Sequence, residues 1–159
     1  LSKIGARLLV ETVKNIKDGK ATRIKQSDNF TIAPMIEKKD AKIDWEQMDT
    51  SKIKNLVRGL NPILGAYCFY NDKKVKFWKV QKFTIEEFVA KFTEFEEYSY
   101  KLKKMDAGTV LYTSEKEGLY ILGKDGIISV LEIQAENSKK MDIYSFLRGN
   151  KIEVGTIFE

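Results

Sequence analysis

The densest run of chemically capable side chains lies in residues 51–83, where Lys52, Lys54, Arg58, Lys73, Lys74, Lys76, Lys79 and Lys82 face a single acid, Asp72. This segment carries a net charge of about +7, against about +2 for residues 1–50, about −1 for residues 84–105 and about −3 for residues 106–159. A strip of ammonium groups raises the local potential and attracts a polyanion, most simply a phosphate backbone. The same residues also suit a solvated face, or edge-strand lysines that oppose aggregation.

Other chemistries are narrower. The 159-residue chain has no His and one Cys, which excludes from it a histidine general base, a His-containing zinc site and a Ser-His-Asp triad. Cys68 sits in the apolar run Ala66-Tyr67-Cys68-Phe69-Tyr70 and reads as a small buried hydrophobe in a reducing compartment, with a reactive thiol as the alternative. The carboxylates Glu86-Glu87 and Glu94, Glu96, Glu97 lie on an interleaved charged helix face, where solvation is the default role. Walker, GxGxxG, CxxC and calcium-loop motifs are absent, and Gly123-Lys124-Asp125-Gly126 lies between strands, which makes it a turn and not a phosphate cradle. On chemistry alone the chain is a binding module with no catalytic or metal residues. No apolar run approaches the roughly 18 residues of a membrane helix. The first residue is Leu and no signal peptide follows, so the chain is expected to begin inside a longer reading frame.

The elements that must position the lysines follow from periodicity. Leu1, Ile4, Leu8, Leu9, Val13 and Ile16 keep the helical period, and Asp18-Gly19 closes that helix. A short strand is expected at 21–26, and residues 30–45, with Pro34 and no sustained period, read as an extended linker. A second helix follows Asp49 or Thr50, carries Ile53, Leu56, Val57 and Leu60 on one face, and ends at Pro62. Residues 64–70 and 75–83 form a hairpin around Asn71-Asp72-Lys73-Lys74, with a bulge near Trp78 because Val75 and Phe77 share a face that Val80 leaves. Within 84–105, Ile85, Phe88, Val89, Phe92 and Phe95 keep a helical spacing, followed by Tyr98, Tyr100, Lys101, Lys103 and Lys104. These aromatics suit base stacking and, more cheaply, the core face of a helix. Strands are expected at 109–113, 119–122 and 127–133, and Asp142 caps a short helix bearing Ile143, Phe146 and Leu147. The fold class is α+β: an N-terminal helix and linker followed by a mainly β, oligonucleotide-binding-like open barrel. A β-sandwich or an SH3-like barrel has a compatible strand count.

Several motifs stand in a fixed order: Leu8-Leu9 with Asp18-Gly19, Ala33-Pro34-Met35-Ile36, and Lys38-Lys39-Asp40-Ala41-Lys42-Ile43-Asp44-Trp45. Then come Val57-Arg58-Gly59-Leu60-Asn61-Pro62 with Gly65-Ala66-Tyr67, Val75-Lys76-Phe77-Trp78-Lys79, and Ala107-Gly108-Thr109-Val110. Leu131-Glu132-Ile133-Gln134 with Lys139-Lys140-Met141, and Phe146-Leu147-Arg148-Gly149, complete the series. In this order the whole chain resembles the methionyl-tRNA formyltransferase family, from near the end of its catalytic domain to close to its C-terminus. Gln134 with Lys139-Lys140-Met141 favours the tRNA enzymes over their sugar-nucleotide relatives. The chain departs from the family in having Leu64 where a Pro is usual, Ala135-Glu136-Asn137-Ser138 where a Gly precedes the lysine pair, and a longer 84–105 segment.

The resemblance implies a full protein that transfers a formyl group from 10-formyltetrahydrofolate to methionine on initiator methionyl-tRNA. It implies that residues 1–27 are a remnant of a Rossmann-like catalytic domain, 28–48 a linker, and 49–159 the barrel domain with an inserted helical segment at 84–105. The family's catalytic Asn, His and Asp fall upstream of residue 1, so this part is expected to be silent alone and to bind no cofactor. What it inherits is tRNA docking: Lys38, Lys39 and Lys42 from the family's basic linker, then Arg58, Lys73, Lys74, Lys76, Lys79 and Lys82 on charge count, with Lys139 and Lys140. The implied partners are the tRNA and the catalytic domain in cis, for a cytoplasmic monomer with no membrane. The competing readings are a fragment of a sugar-nucleotide or other folate-dependent formyltransferase, and a stand-alone nucleic-acid-binding barrel.

Overall fold

The structure is a computed structural model that describes residues 1–102 and 104–159 and, within them, every side chain except those of residues 97–99. Lys103 and the ring of Tyr98 therefore lie outside the described residues. The chain divides into two compact units, Leu1–Met35 and Ile36–Glu159.

The first unit is built on α1 (Ser2–Lys17). It ends as the Asp18-Gly19 signal predicts: the Gly19 N–H bonds the Ile16 carbonyl at 3.2 Å and the Lys20 N–H bonds the Asn15 carbonyl at 2.8 Å, which satisfies carbonyls that the helix end would orphan. The apolar residues Ile4, Leu8, Leu9, Val13 and Ile16 are exposed. The strand expected at 21–26 does not form. A strand needs a partner backbone for its ladder, and this unit has no strand for it to join.

In the second unit, the stretch read from sequence as the end of a linker is part of the core. A 3-10 helix, Lys38–Ala41, is closed by reciprocal bonds between Glu37 and Asp40, and Ala41, Ile43 and Trp45 then alternate into the interior. The Ile43 N–H bonds the Tyr67 carbonyl at 2.7 Å, and this backbone contact holds the alternation in place. Helix α2 (Thr50–Leu60) begins at Asp49, whose carboxylate accepts from the Lys52 N–H, and it buries Ile53, Val57 and Leu60.

Strands β1 (Ala66–Tyr70) and β2 (Lys73–Phe83) pair antiparallel. Their turn has two residues, not the expected four. Asn71 and Asp72 hold φ 49° and 61°, a primed turn whose twist matches the strands, so Lys73 and Lys74 already belong to β2. The expected bulge is present: register against the fifth strand shifts on both sides of Lys79, and the extra residue lets both Phe77 and Val80 be buried. After α3 (Ile85–Lys91), a 3-10 turn Thr93–Tyr98 and α4 (Ser99–Leu102) come β3 (Val110–Ser114), β4 (Gly118–Leu122), β5 (Ile127–Ala135), β6 (Met141–Asp142) and α5 (Ile143–Gly149). The sheet order is β1-β2-β5-β4-β3, with β6 on β5, and every ladder is antiparallel.

Strand β4 is buried on both faces. Leu119 and Ile121 join the main core with Ile53, Val57, Phe77, Ile133 and Phe158. Tyr120 and Leu122 point the other way, into a second core with Phe88, Phe92 and Leu102. The long 84–105 segment therefore has a structural role: it covers the outer face of the β3-β4-β5 sheet, and Phe88 and Phe92 are core residues, not stacking platforms. The C-terminal segment joins the two sheet edges. Val110 N–H bonds Thr156 O at 2.8 Å and Phe158 N–H bonds Gly108 O at 2.9 Å, while Phe69 and Glu159 exchange backbone bonds at 2.6 and 2.9 Å. Among the described residues no helix is long and apolar enough to cross a membrane.

Candidate nucleic-acid interface

The alternation of β1 and β2 sorts their side chains. Ala66, Cys68, Val75 and Phe77 are buried, whereas Tyr67, Phe69, Lys74 and Lys76 are half-buried and occupy the opposite face. Register places Tyr67 across from Lys76 and Phe69 across from Lys74, and a parallel bridge brings Lys42 beside Tyr67. The ammonium groups lie on the rings. Lys74 Nζ is 4.2 Å from the Tyr67 centroid and 5.9 Å from that of Phe69, and Lys42 Nζ is 5.5 Å from Phe69. Tyr67 and Phe69 meet edge to face, 5.8 Å apart at 89°.

The bulged Trp78 extends this strip. Its ring lies against Gly65, which holds φ +67° and where a Cβ would stand 3.0 Å from two indole carbons. Only a glycine fits that combination of backbone and space. The indole Nε1–H donates to Gln134 Oε1 at 2.9 Å, and Gln134 in turn donates to the Ser138 carbonyl at 2.8 Å. Lys76 Nζ stands 5.6 Å from the Trp78 centroid and donates to the Leu64 carbonyl at 2.9 Å. Lys140 Nζ stands 5.5 Å away from the same ring and is paired with Glu132. Among the described residues no carboxylate pairs with Lys42, Lys74 or Lys76. These three cations are held in place by π faces and a carbonyl, which leaves their charge available to an external anion.

The family model described as "Formyl transferase, C-terminal domain" matches residues 35–151. The chain belongs to this family. Two curated relatives carry the name methionyl-tRNA formyltransferase: one from Carboxydothermus hydrogenoformans is 33% identical over 160 residues, covering 100% of this chain and 46% of that protein. The other, from Caldanaerobacter subterraneus subsp. tengcongensis, is 36% identical over 160 residues with the same coverage of 100% and 46%. The chain thus spans about half the length of the curated relatives it matches. Among solved structures, a multiply substituted variant of HypX from Aquifex aeolicus aligns with a TM-score of 0.52 at 19% identity, over 91% of this chain and 24% of that one. HypX in complex with tetrahydrofolic acid aligns with a TM-score of 0.51 at 18% identity, over 93% and 26% of the two chains. At that identity the likeness concerns the fold alone.

In this formyl transferase C-terminal domain the sequence-predicted basic residues do not all converge. Lys42, Lys74, Lys76 and Lys140 meet on the ring strip. Lys38 and Lys39 are exposed on the 3-10 helix, and Lys39 pairs with Glu37 at 2.8 Å. Arg58 is exposed on α2 beside Asn55, and Lys82 turns to Ser51 Oγ at 2.9 Å, at the start of that helix. Lys73 is exposed at the hairpin turn, Lys79 on β2 and Lys139 beside Lys140.

The other candidate groups have structural uses. Cys68 is fully buried, and burial pushes its thiol far above the ordinary range, which leaves little thiolate to react. Glu87 closes a capping box with Thr84. Asp125, in the 123–126 turn, accepts from the Thr50 N–H at 2.7 Å. Lys91 is raised by its hydrogen bonds to Tyr120 and then Glu117. No group of three or more metal-ligating side chains occurs among the described residues.

Sequence reasoning missed Tyr67, Phe69, Trp78 and Gln134 as parts of the site. A signal for the first two was present: aromatics at i and i+2 opposite lysines at i and i+2, across a hairpin, place rings and ammoniums on one face.

Proposed function

We propose that this chain is the C-terminal part of a methionyl-tRNA formyltransferase and that its task is to bind and orient initiator methionyl-tRNA. The observation that carries the reading is the strip of ring-mounted ammoniums from Lys42, Lys74 and Lys76, taken with the family match and the relatives' names. Lysines in this arrangement neutralise successive phosphates and release condensed counterions, which gives affinity without base readout. Lys38, Lys39, Arg58, Lys73, Lys79, Lys82, Lys139 and Lys140 form the wider basic surround of that contact. Formyl transfer from 10-formyltetrahydrofolate is assigned to the other half of the enzyme, with its Asn, His and Asp. This chain alone is silent, holds no folate, and acts within a cytoplasmic, monomeric protein.

We further read the second unit as an oligonucleotide-binding-like barrel. The joining of both sheet edges by residues 155–159 and the capping of the core by α2 support that reading. Residues 1–27 are proposed as the end of the catalytic domain and 28–48 as the connection, its last part anchored by Ala41, Ile43 and Trp45. The test is direct titration of the 159-residue chain with initiator tRNA over a range of salt concentrations. The expected result is an affinity that falls steeply and log-linearly with salt; an affinity absent at low salt, or independent of salt, rejects the function. In the intact enzyme, formylation of a nucleotide sugar in place of methionyl-tRNA would assign the chain to that relative instead.

A further inference from the structure

The ring strip raises a question that the tRNA reading leaves open: three aromatic side chains beside a basic patch suit base stacking as well as phosphate contact. Stacking needs a free π face. Here each ring already carries an ammonium. Lys74 lies over Tyr67 and also reaches Phe69, Lys42 covers Phe69, and Lys76 and Lys140 both approach Trp78. Trp78 is in addition buried, at 8% exposure, and its N–H is committed to Gln134.

We propose that Tyr67 and Phe69 are positioning residues for phosphate binding: they act through Lys42 and Lys74, holding two unpaired ammoniums in place, and take no part in stacking bases. This rests on the reading of the chain as an RNA-binding part. The physical reason is entropy. A lysine on an exposed strand samples many rotamers, and ordering it on binding subtracts from affinity. An ammonium already resting on a ring has met much of that cost, and the ring leaves its outward N–H donors free for a phosphate oxygen. Lys140 differs in kind, because Glu132 already neutralises it. The strip should therefore prefer phosphates as such, in paired and unpaired RNA alike, and its affinity should depend on two rings that carry no charge.

The experiment uses the 159-residue chain with Tyr67→Leu and Phe69→Leu, which keep net charge and apolar bulk, and the rescue variants Tyr67→Phe and Phe69→Tyr, which keep a ring. Binding to an RNA duplex and to an unpaired oligouridine is read by fluorescence anisotropy. The leucine variants should each weaken duplex binding by about two- to fivefold, the scale of one cation–π contact, and the ring-keeping variants should bind like the parent. As a readout independent of RNA, the ε-methylene protons of Lys74 should carry an upfield ring-current shift that is lost in Tyr67→Leu and kept in Tyr67→Phe. Duplex affinity unchanged in the leucine variants, or a loss confined to the unpaired oligonucleotide, overturns the proposal and leaves the tRNA reading standing. A parent chain that binds neither RNA overturns both.

Discussion

Replacing Lys42, Lys74 and Lys76 together by Ala tests the electrostatic mechanism with a number attached. All three ammoniums lack an acid partner among the described residues, so each is free to displace one counterion from a phosphate. Each such contact contributes about 0.7–0.9 to the slope of log affinity against log salt, so the triple variant should lose about 2–3 of that slope. Between about 50 and 200 mM salt, the parent should then lose about 20- to 40-fold more affinity than the variant. Lys140→Ala is the internal control: its charge is already balanced by Glu132, and it should change the slope by well under one contact. The lysines lie outside the core and their ring contacts are worth about 0.5–1 kcal/mol each, so the variant folds, as circular dichroism will verify. The assay is anisotropy titration with tRNA at four or more salt concentrations. A triple variant with the parent's slope, or a Lys140→Ala effect as large as that of Lys74→Ala, refutes the reasoning.

Three further outcomes are expected. Gly65→Ala places a Cβ at a left-handed φ against the Trp78 ring and should cost about 1–3 kcal/mol by chemical denaturation; an unchanged midpoint contradicts the close approach. Cys68 in the native state should react with a thiol reagent only as fast as the protein opens. Burial raises its folded pKa above the ordinary 9.0, so its contribution to stability is present below pH 9.0 and lost as pH rises, and Cys68→Ala should flatten the alkaline limb of a stability profile. Asp142 caps α5, and its hydrogen bonds with Ser145 hold its carboxyl below the ordinary 3.8. That contribution is present above pH 3.8 and lost as pH falls through the depressed folded value, so Asp142→Ala should lower the melting temperature at neutral pH and narrow its gap from the parent in acid.

Much of the architecture is local and so was legible in sequence. The caps at Asp49 and Asp142, the apolar face of α2 and the bulge beside Trp78 depend on residues a few positions apart, where period and capping chemistry act directly. The concentration of positive charge in residues 51–83 is likewise a property of composition. The departures come from longer range. Residues 21–26 have strand-like composition and no partner backbone. Ala41, Ile43 and Trp45 looked like a linker because three alternating positions are a weak signal, and the Tyr67 carbonyl that secures them is far along the chain. The helical spacing of Phe88 and Phe92 could indicate neither which face of β4 they would cover nor that β4 needed covering on both sides.

The candidate site shows the same division. That lysines dominate one segment, that His-based catalysis is absent from this chain, and that Cys68 is hydrophobic in character were determined by the sequence itself, since they follow from residue type and count. Only the tertiary structure decided that Lys42, Lys74, Lys76 and Lys140 share one face with Tyr67, Phe69 and Trp78, while Arg58 stays beside Asn55 on α2 and Lys82 turns to Ser51 at the start of that helix. The reason is register. Cross-strand pairing joins positions widely separated in sequence, and a slip of one residue would send the rings inward and Cys68 outward. The burial of Ala66, Cys68, Val75 and Phe77 forbids that slip, so the core that stabilises the hairpin also determines which charges stand on its rings.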